Sequence, residues 1–247
     1  MSNKTDSNSY TILFAVGMVI VVGTLLAFTA SSLKPRITEN KRLEKQQNIL
    51  YAMGVNQNEG SSATFVSTEE APELFTKYIT QQLVIENGEA KKDDEAYLID
   101  VKKEQARAKN GETRRLPLFV GEKDGKTYYI APIRGKGLWD AIWAYIAMDE
   151  NMVVQGAYFD HQAETPGLGA NIKERFFMDD FIGEHLMSGS TFKGITVSKS
   201  NADPKNEDKT DNEVDAIAGA TITGDGVSAM IKKDLKLYVP YFKSLKP

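Results

Sequence analysis

Asp215-Ala216-Ile217-Ala218-Gly219-Ala220-Thr221-Ile222-Thr223-Gly224-Asp225-Gly226 is the stretch whose reading decides the fold. Small residues precede Thr221, and Gly224 and Gly226 read as a turn. An amphipathic run follows, with Val227, Met230, Ile231 and Leu235 at helical spacing. The expectation is a helix over about 226–238, with Lys232, Lys233 and Lys236 complementing the dipole at its C-terminal half and Pro240 ending it. The Thr221 hydroxyl then stands on bare backbone close to a helix N-terminus. The first amides of a helix lack partners and its dipole favours negative charge, so a phosphate fits there without obstruction.

Working back along the chain, residues 199–213 are wholly polar and read as a surface loop. Residues 192–198 are strand-like. Phe176, Phe177, Phe181 and Ile182 read as core residues of a helix. Before them lies His161-Gln162-Ala163-Glu164-Thr165-Pro166-Gly167-Leu168-Gly169. Pro166 and Gly167 set a tight turn that aims Thr165 and the amides of Leu168 and Gly169 at one place. His161 and Glu164 lack the second histidine or carboxylate cluster that a metal site needs, so His161 is expected to hydrogen-bond the turn. Residues 151–159 read as a strand.

Arg134-Gly135-Lys136-Gly137-Leu138-Trp139-Asp140 precedes an apolar run, residues 141–148. Its glycines allow close backbone approach, and a tight βα turn is the default meaning. The third glycine and downstream acid of a dinucleotide fingerprint are missing. Trp139 reads as a core anchor, or else as a lid over a flat ligand. Residues 116–120 and 127–133 are strands with proline at their ends, joined by a hairpin at Asp124-Gly125. Residues 104–115 are charged and expected to be exposed. Pro72 opens a helix with Leu74, Phe75, Tyr78, Ile79 and Leu83 on one face. The class expected is α+β: an antiparallel sheet flanked by helices.

These motifs resemble those of proteins that carry FMN on threonine through a phosphoester, whose acceptor pattern is Asp-x-x-(Ser/Thr/Ala)-Gly-Ala-Thr. The whole chain resembles the C subunits of sodium-translocating NADH:quinone reductases. The G subunits of Rnf-type ferredoxin:NAD complexes share the pattern and are the alternative. Where the family usually has Ser or Thr, this chain has Ala218, which removes one possible hydrogen bond and leaves the acceptor intact. The resemblance implies that Thr221, next to Gly219 and Ala220, bears covalent FMN, with Thr223 as second choice. Gly137, Leu138 and Trp139 match a second signature. Glu164, Thr165, Leu168 and Gly169 match a third, which lies beside the flavin in the family. It further implies a one-electron carrier, working with the A, B, D, E and F subunits of a complex that oxidises NADH, reduces ubiquinone and exports sodium. A free threonine hydroxyl is a poor nucleophile and nothing near Thr221 in the sequence activates it. A separate flavin transferase is therefore expected to install the FMN, with Asp215 helping to position the segment.

Residues 10–33 carry no charge, and 12–30 are dominated by apolar residues, enough at about 1.5 Å per residue to cross a bilayer. Lys4 is offset by Asp6, so the positive start of a cleaved signal is missing and a retained anchor is expected. Lys34, Arg36, Lys41, Arg42 and Lys45 follow the span. By the positive-inside rule alone they would hold the rest of the chain in the cytoplasm. The family implies the reverse, an inner-membrane anchor with the flavin domain on the periplasmic side, and that is the expectation adopted. The organisation expected is a tail over 1–9, the anchor over 10–33, a connecting helix and loop over 34–60, and the flavin domain over 61–247. The connecting helix is expected to be a solvated stalk.

With 41% hydrophobic and 26% charged residues in 247, the chain is of ordinary globular composition. A net charge of −4 leaves no basic excess for nucleic acid. The absence of cysteine rules out disulfides and thiolate-held metal or iron–sulfur clusters within the chain. Two readings of other classes stand beside the flavin carrier: an anchored protein that binds a free anion at the Gly-Ala-Thr turn, and a structural component in which that motif is idle.

Overall fold

Helix α1 (Asn8–Ala52) runs through Pro35, which the sequence places just past the span rather than inside a helix. The computed structural model describes residues 7–199, 203 and 205–246. The described residues fall into two units, which meet in the chain between Arg42 and Leu43. In the first, the helix contains an 18-residue window of mean hydropathy 2.6 with no residue buried, long and apolar enough to cross a membrane. The second unit takes the last turns of α1 into its core. Gln46, Asn48, Ile49, Leu50 and Ala52 are buried, so this part is a packed element rather than a solvated stalk.

A six-stranded antiparallel sheet carries the second unit, in the order β2-β1-β3-β4-β5-β6. Its strands are β1 (Ile79–Glu86), β2 (Glu89–Lys92), β3 (Leu116–Lys123), β4 (Lys126–Lys136), β5 (Ala141–Met148) and β6 (Val154–His161). Helix α2 (Ala71–Tyr78) has proline in its first turn, as expected, but stops at Tyr78. Ile79 and Leu83 belong to β1, not to a helix face. The overlooked signal is Asn87-Gly88, both at positive φ, a hairpin pair of the kind that type I′ turns demand. Asp124-Gly125 makes the corresponding turn between β3 and β4. Pro132 is interior to β4 rather than at a strand end. The β3–β4 ladder stops at Phe119↔Ile130, so no bond to β3 is lost at a residue without an N–H.

The charged stretch 104–115 is only partly exposed. Helix α3 (Val101–Lys109) is capped by the Asp100 carboxylate, which accepts from the amides of Lys102 and Lys103. Glu104 is buried, where its carboxylate accepts from the Arg115 guanidinium at 2.7 Å and the Arg115 amide at 3.0 Å. A buried charge persists when its lone pairs are met. Phe177 and Phe181 pack on Phe159, whereas Phe176 and Ile182 point outward. They sit on the short helix α4 (Arg175–Met178) and a single 3-10 turn, too little helix to present one continuous face.

The strand expected over 192–198 is instead two short ones. In the small sheets, β7 (Met187–Ser188) pairs with β8 (Thr191–Phe192), and β9 (Thr196–Val197) runs parallel to β10 (Glu213–Val214). The polar stretch 199–213 lies partly outside the described residues. Within it Asn206 is buried, donating to the Asp180 carbonyl and the Glu184 carboxylate.

The last turns of α1 cross the sheet where β6 has no side chain. A Cβ on Gly156 would lie 2.2 Å from the Ala52 carbonyl oxygen. Gly156→Ala forces two backbones apart. It is expected to destabilise this unit by about 1–3 kcal/mol, as overpacking does, read as a lowered midpoint of thermal unfolding. An unchanged midpoint would show that α1 docks elsewhere.

Candidate functional site

Three segments far apart in sequence meet on the Glu164 carboxylate. The first is the turn from β4 to β5, closed by the Gly137 amide on the Asp140 carbonyl at 2.8 Å. It joins two strands, so the βα turn expected there is not formed. Gly137 has no room for a side chain, since its Cβ would lie 2.5 Å from Glu164 Oε1. The Trp139 amide donates to that oxygen at 2.9 Å.

The second segment is 161–169. Gly167 at φ 76° follows Pro166, and the Leu168 amide donates to the Thr165 carbonyl at 3.1 Å. This is the proline–glycine turn expected, but it uses up the Leu168 amide, which is therefore not aimed outward. His161 Nδ1 accepts from the Glu164 amide at 3.2 Å, the structural bond anticipated for it. No group of three or more potential metal ligands occurs among the described residues.

The third segment is the start of α5 (Thr221–Asp234). The helix begins at Thr221, five residues before the expected Gly226, so Gly224 and Gly226 are helical rather than a turn. Packing explains these glycines. A Cβ on Gly226 would meet the Lys136 carbonyl at 2.4 Å, and one on Gly224 would meet Val197 at 3.0 Å. Pro240, expected to stop the helix, instead sits in the first turn of α6 (Val239–Ser244).

Thr223 is buried and its hydroxyl donates to Glu164 Oε2 at 2.5 Å. Gly169 must be bare because a Cβ there would lie 2.5 Å from Thr223 Oγ1. Burial raises the Glu164 pKa. The hydrogen bonds from Thr223 and from the amides of Trp139, Leu138 and Asp140 outweigh it and hold the carboxyl below its usual range. Glu164 is thus an anionic knot tying all three segments.

Thr221, two residues earlier and so on the other side of the helix, is exposed, and its hydroxyl makes no hydrogen bond among the described residues. Ala220 offers no side-chain cap and the first bond into the helix is Gly224 N to Ala220 O, so the amides of Thr221, Ile222 and Thr223 have no partner among the described residues and can meet an anion. Gly219, at φ 71°, brings the chain against Leu168: a Cβ there would lie 2.8 Å from Leu168 Cδ2. Trp139 is 65% exposed, not a core anchor, and its indole N–H donates to Thr165 Oγ1 at 3.1 Å. Leu138, Leu168 and Ile222 are exposed as well. Ile222 was not singled out in the sequence, where a lone apolar residue in a polar stretch carries little signal. A free hydroxyl, unpaired amides and exposed apolar side chains are the donor and surface set that a phosphate-linked flavin requires.

Asp215 lies apart from the knot. Its amide donates to Asp180 Oδ2 at 2.8 Å. Burial, and then the Asp180 and Asp203 carboxylates, raise its pKa against the pull of Lys209. The far end of α5 is also held. Asp234 accepts from the Arg114 guanidinium at 2.9 and 3.0 Å and from the Arg134 amide at 3.1 Å. Thr221 therefore starts a helix fixed at both ends.

A family model described as FMN-binding domain matches residues 137–236, the interval that begins at the first of these segments and covers the third. The chain is 30% identical over 242 residues to the C subunit of the Na(+)-translocating NADH-quinone reductase of Yersinia pestis, covering 91% of this chain and 87% of that protein. It is 29% identical over 244 residues to the corresponding protein of Vibrio alginolyticus, covering 92% and 90%. The crystal structure of the C subunit from Parabacteroides distasonis superposes with a TM-score of 0.72 at 32% identity, covering 85% of this chain and 96% of that one. These relatives favour the NADH-quinone reductase over the Rnf-type alternative. With the fold, the FMN-binding domain and near-complete coverage in agreement, this chain belongs to the family of C subunits of Na(+)-translocating NADH-quinone reductases.

Proposed function

We propose that this chain carries FMN joined through its phosphate to Thr221 Oγ1 and relays electrons singly between neighbouring centres of a sodium-exporting NADH:quinone reductase. The observation that carries the reading is the contrast between two hydroxyls on one helix turn. Thr221 is exposed and unengaged, whereas Thr223 is buried against Glu164. Bound FMN supplies a ring that takes up and releases electrons one at a time. The chain's own part is positional. The α5 amides hold the phosphate, Gly219 and Gly169 keep the backbone close, and Leu138, Trp139, Leu168 and Ile222 border the ring while leaving part of it open. Thr165, engaged by Trp139, fixes the indole rather than the ring. Glu164 holds the three segments in register.

The partners are the A, B, D, E and F subunits. The Thr221 hydroxyl is hydrogen-bonded to no base among the described residues, and Asp225, one turn on along α5, pairs with Lys199; this supports loading by a separate flavin transferase, with Asp215 in the segment that enzyme would recognise. The apolar helix supports a single-pass anchor; its place in the inner membrane and the flavin domain's on the periplasmic side rest on the family resemblance, against the charge bias of the residues that follow the span. Intact-mass measurement of protein matured in its own host tests the ester. The expected mass is the polypeptide plus one FMN less one water, with the increment on the peptide containing Thr221. The bare polypeptide mass would overturn the reading.

A further inference from the structure

A cleft of about 460 Å³ opens between α6, the β7–β8 hairpin and the turn joining β5 to β6. It shares no residue with the surroundings of Thr221. Its volume falls in the range of roughly 300–1,000 Å³ usual for small-molecule sites.

The walls divide by chemistry. Val239, Phe242, Lys243 and Lys246 are spaced i, i+3, i+4 and i+7 along α6 and the residues just after it, so one face meets the cleft. The apolar half of that face joins Met152 and Met187. Two thioethers and a phenyl ring make an adaptable apolar floor. The other half brings two ammonium groups against one carboxylate, Glu150.

Two further observations set this cleft apart. Met152 has φ 60°, a left-handed conformation rare for a bulky residue, and its side chain is buried. The turn holds it there: the Met152 amide donates to the Asp149 carbonyl at 3.0 Å, and the Asp149 carboxylate accepts from the amides of Asn151 and Val153. Strain of this kind collects at functional positions. Moreover, the polar side chains around the cleft (Asn151, His185, Ser190, Lys243, Lys246 and Glu150) form no hydrogen bond or ion pair among the described residues. An apolar floor ringed by unengaged donors with a cationic excess matches an apolar body bearing an anion.

We propose that this cleft is a second ligand site, taking a small amphipathic anion, an apolar or aromatic body with one carboxylate or phosphate. The apolar part would lie on the partly exposed Met187 and Val239, over the buried Met152 and Phe242, and the anion between Lys243 and Lys246.

The test uses the full chain in lipid nanodiscs, with its 8 methionines labelled at the methyl carbon and 2-naphthoate as the probe. The Met152 and Met187 methyl signals are expected to shift saturably while the others stay in place. The neutral probe 2-naphthamide should bind roughly tenfold weaker or more, as should 2-naphthoate to the variant Lys243→Glu with Lys246→Glu, because each removes a charge-assisted contact. Ser190→Trp, at the rim, should abolish the shifts. Shifts that do not saturate, or that spread to the membrane-helix Met18, would overturn the proposal. So would equal affinity for the amide and the carboxylate.

Discussion

Thr221→Val is expected to leave the protein at its bare polypeptide mass, colourless and non-fluorescent in a denaturing gel, with its fold unchanged. Valine keeps the shape and β-branching of threonine and removes only the hydroxyl. That hydroxyl is exposed and has no hydrogen-bond partner among the described residues, so the stability change should stay within about 0.5 kcal/mol. Thr223 cannot replace it without breaking the bond from its buried hydroxyl to Glu164. Thr223→Val supplies the contrast. It leaves one carboxylate oxygen short of a donor, at about 1–3 kcal/mol, yet should retain the flavin. A fluorescent Thr221→Val band would place the ester elsewhere. Retained NADH:quinone activity in a complex containing that unflavinylated variant would favour the idle-motif reading.

The second large effect is expected at Glu164. Glu164→Ala strands the Thr223 hydroxyl and the amides that converge on the carboxylate, and should destabilise the second unit by about 3 kcal/mol, in keeping with several buried donors left unpaired. Amide hydrogen exchange in the first turn of α5 should quicken, because that turn loses its tie to the sheet. The pH dependence separates this role from simple packing. The folded carboxyl titrates below its unfolded value, so the folded state binds that proton more weakly. Its contribution is complete above the usual carboxylate range and drains away as pH falls through the folded value. Glu184, pushed up to about 7 by burial, works in the opposite sense, its contribution falling as pH rises toward neutrality. The informative quantity is therefore the difference between wild type and Glu164→Ala, in which Glu184 cancels. That difference should shrink in acid. A constant difference would show that the knot does not depend on charge.

Features with local causes could be read from the chain. The membrane-length helix follows from an uninterrupted apolar run, the β3–β4 hairpin from Asp124-Gly125, and the 165–168 turn from Pro166-Gly167. The structure departs from local preference where a neighbour distant in sequence overrides it. Gly224 and Gly226 have turn composition, but the sheet needs a bare helix face and makes them helical. Leu83 fits a helical period, yet the strand pairing beyond Asn87-Gly88 claims it. Trp139 has the size of a core residue but lies on the surface, its indole held by one hydrogen bond to Thr165.

By itself the sequence determined the α+β class and the long apolar helix, because periodicity and turn chemistry act over a few residues, while Thr221 stood out only through the resemblance of its motif. Only the tertiary structure decided that Thr223 is engaged and Thr221 free, since the bond that separates them joins side chains 59 positions apart. A single carboxylate drawn out of water must collect donors from whichever segments the fold brings near, and no local pattern encodes which ones those are.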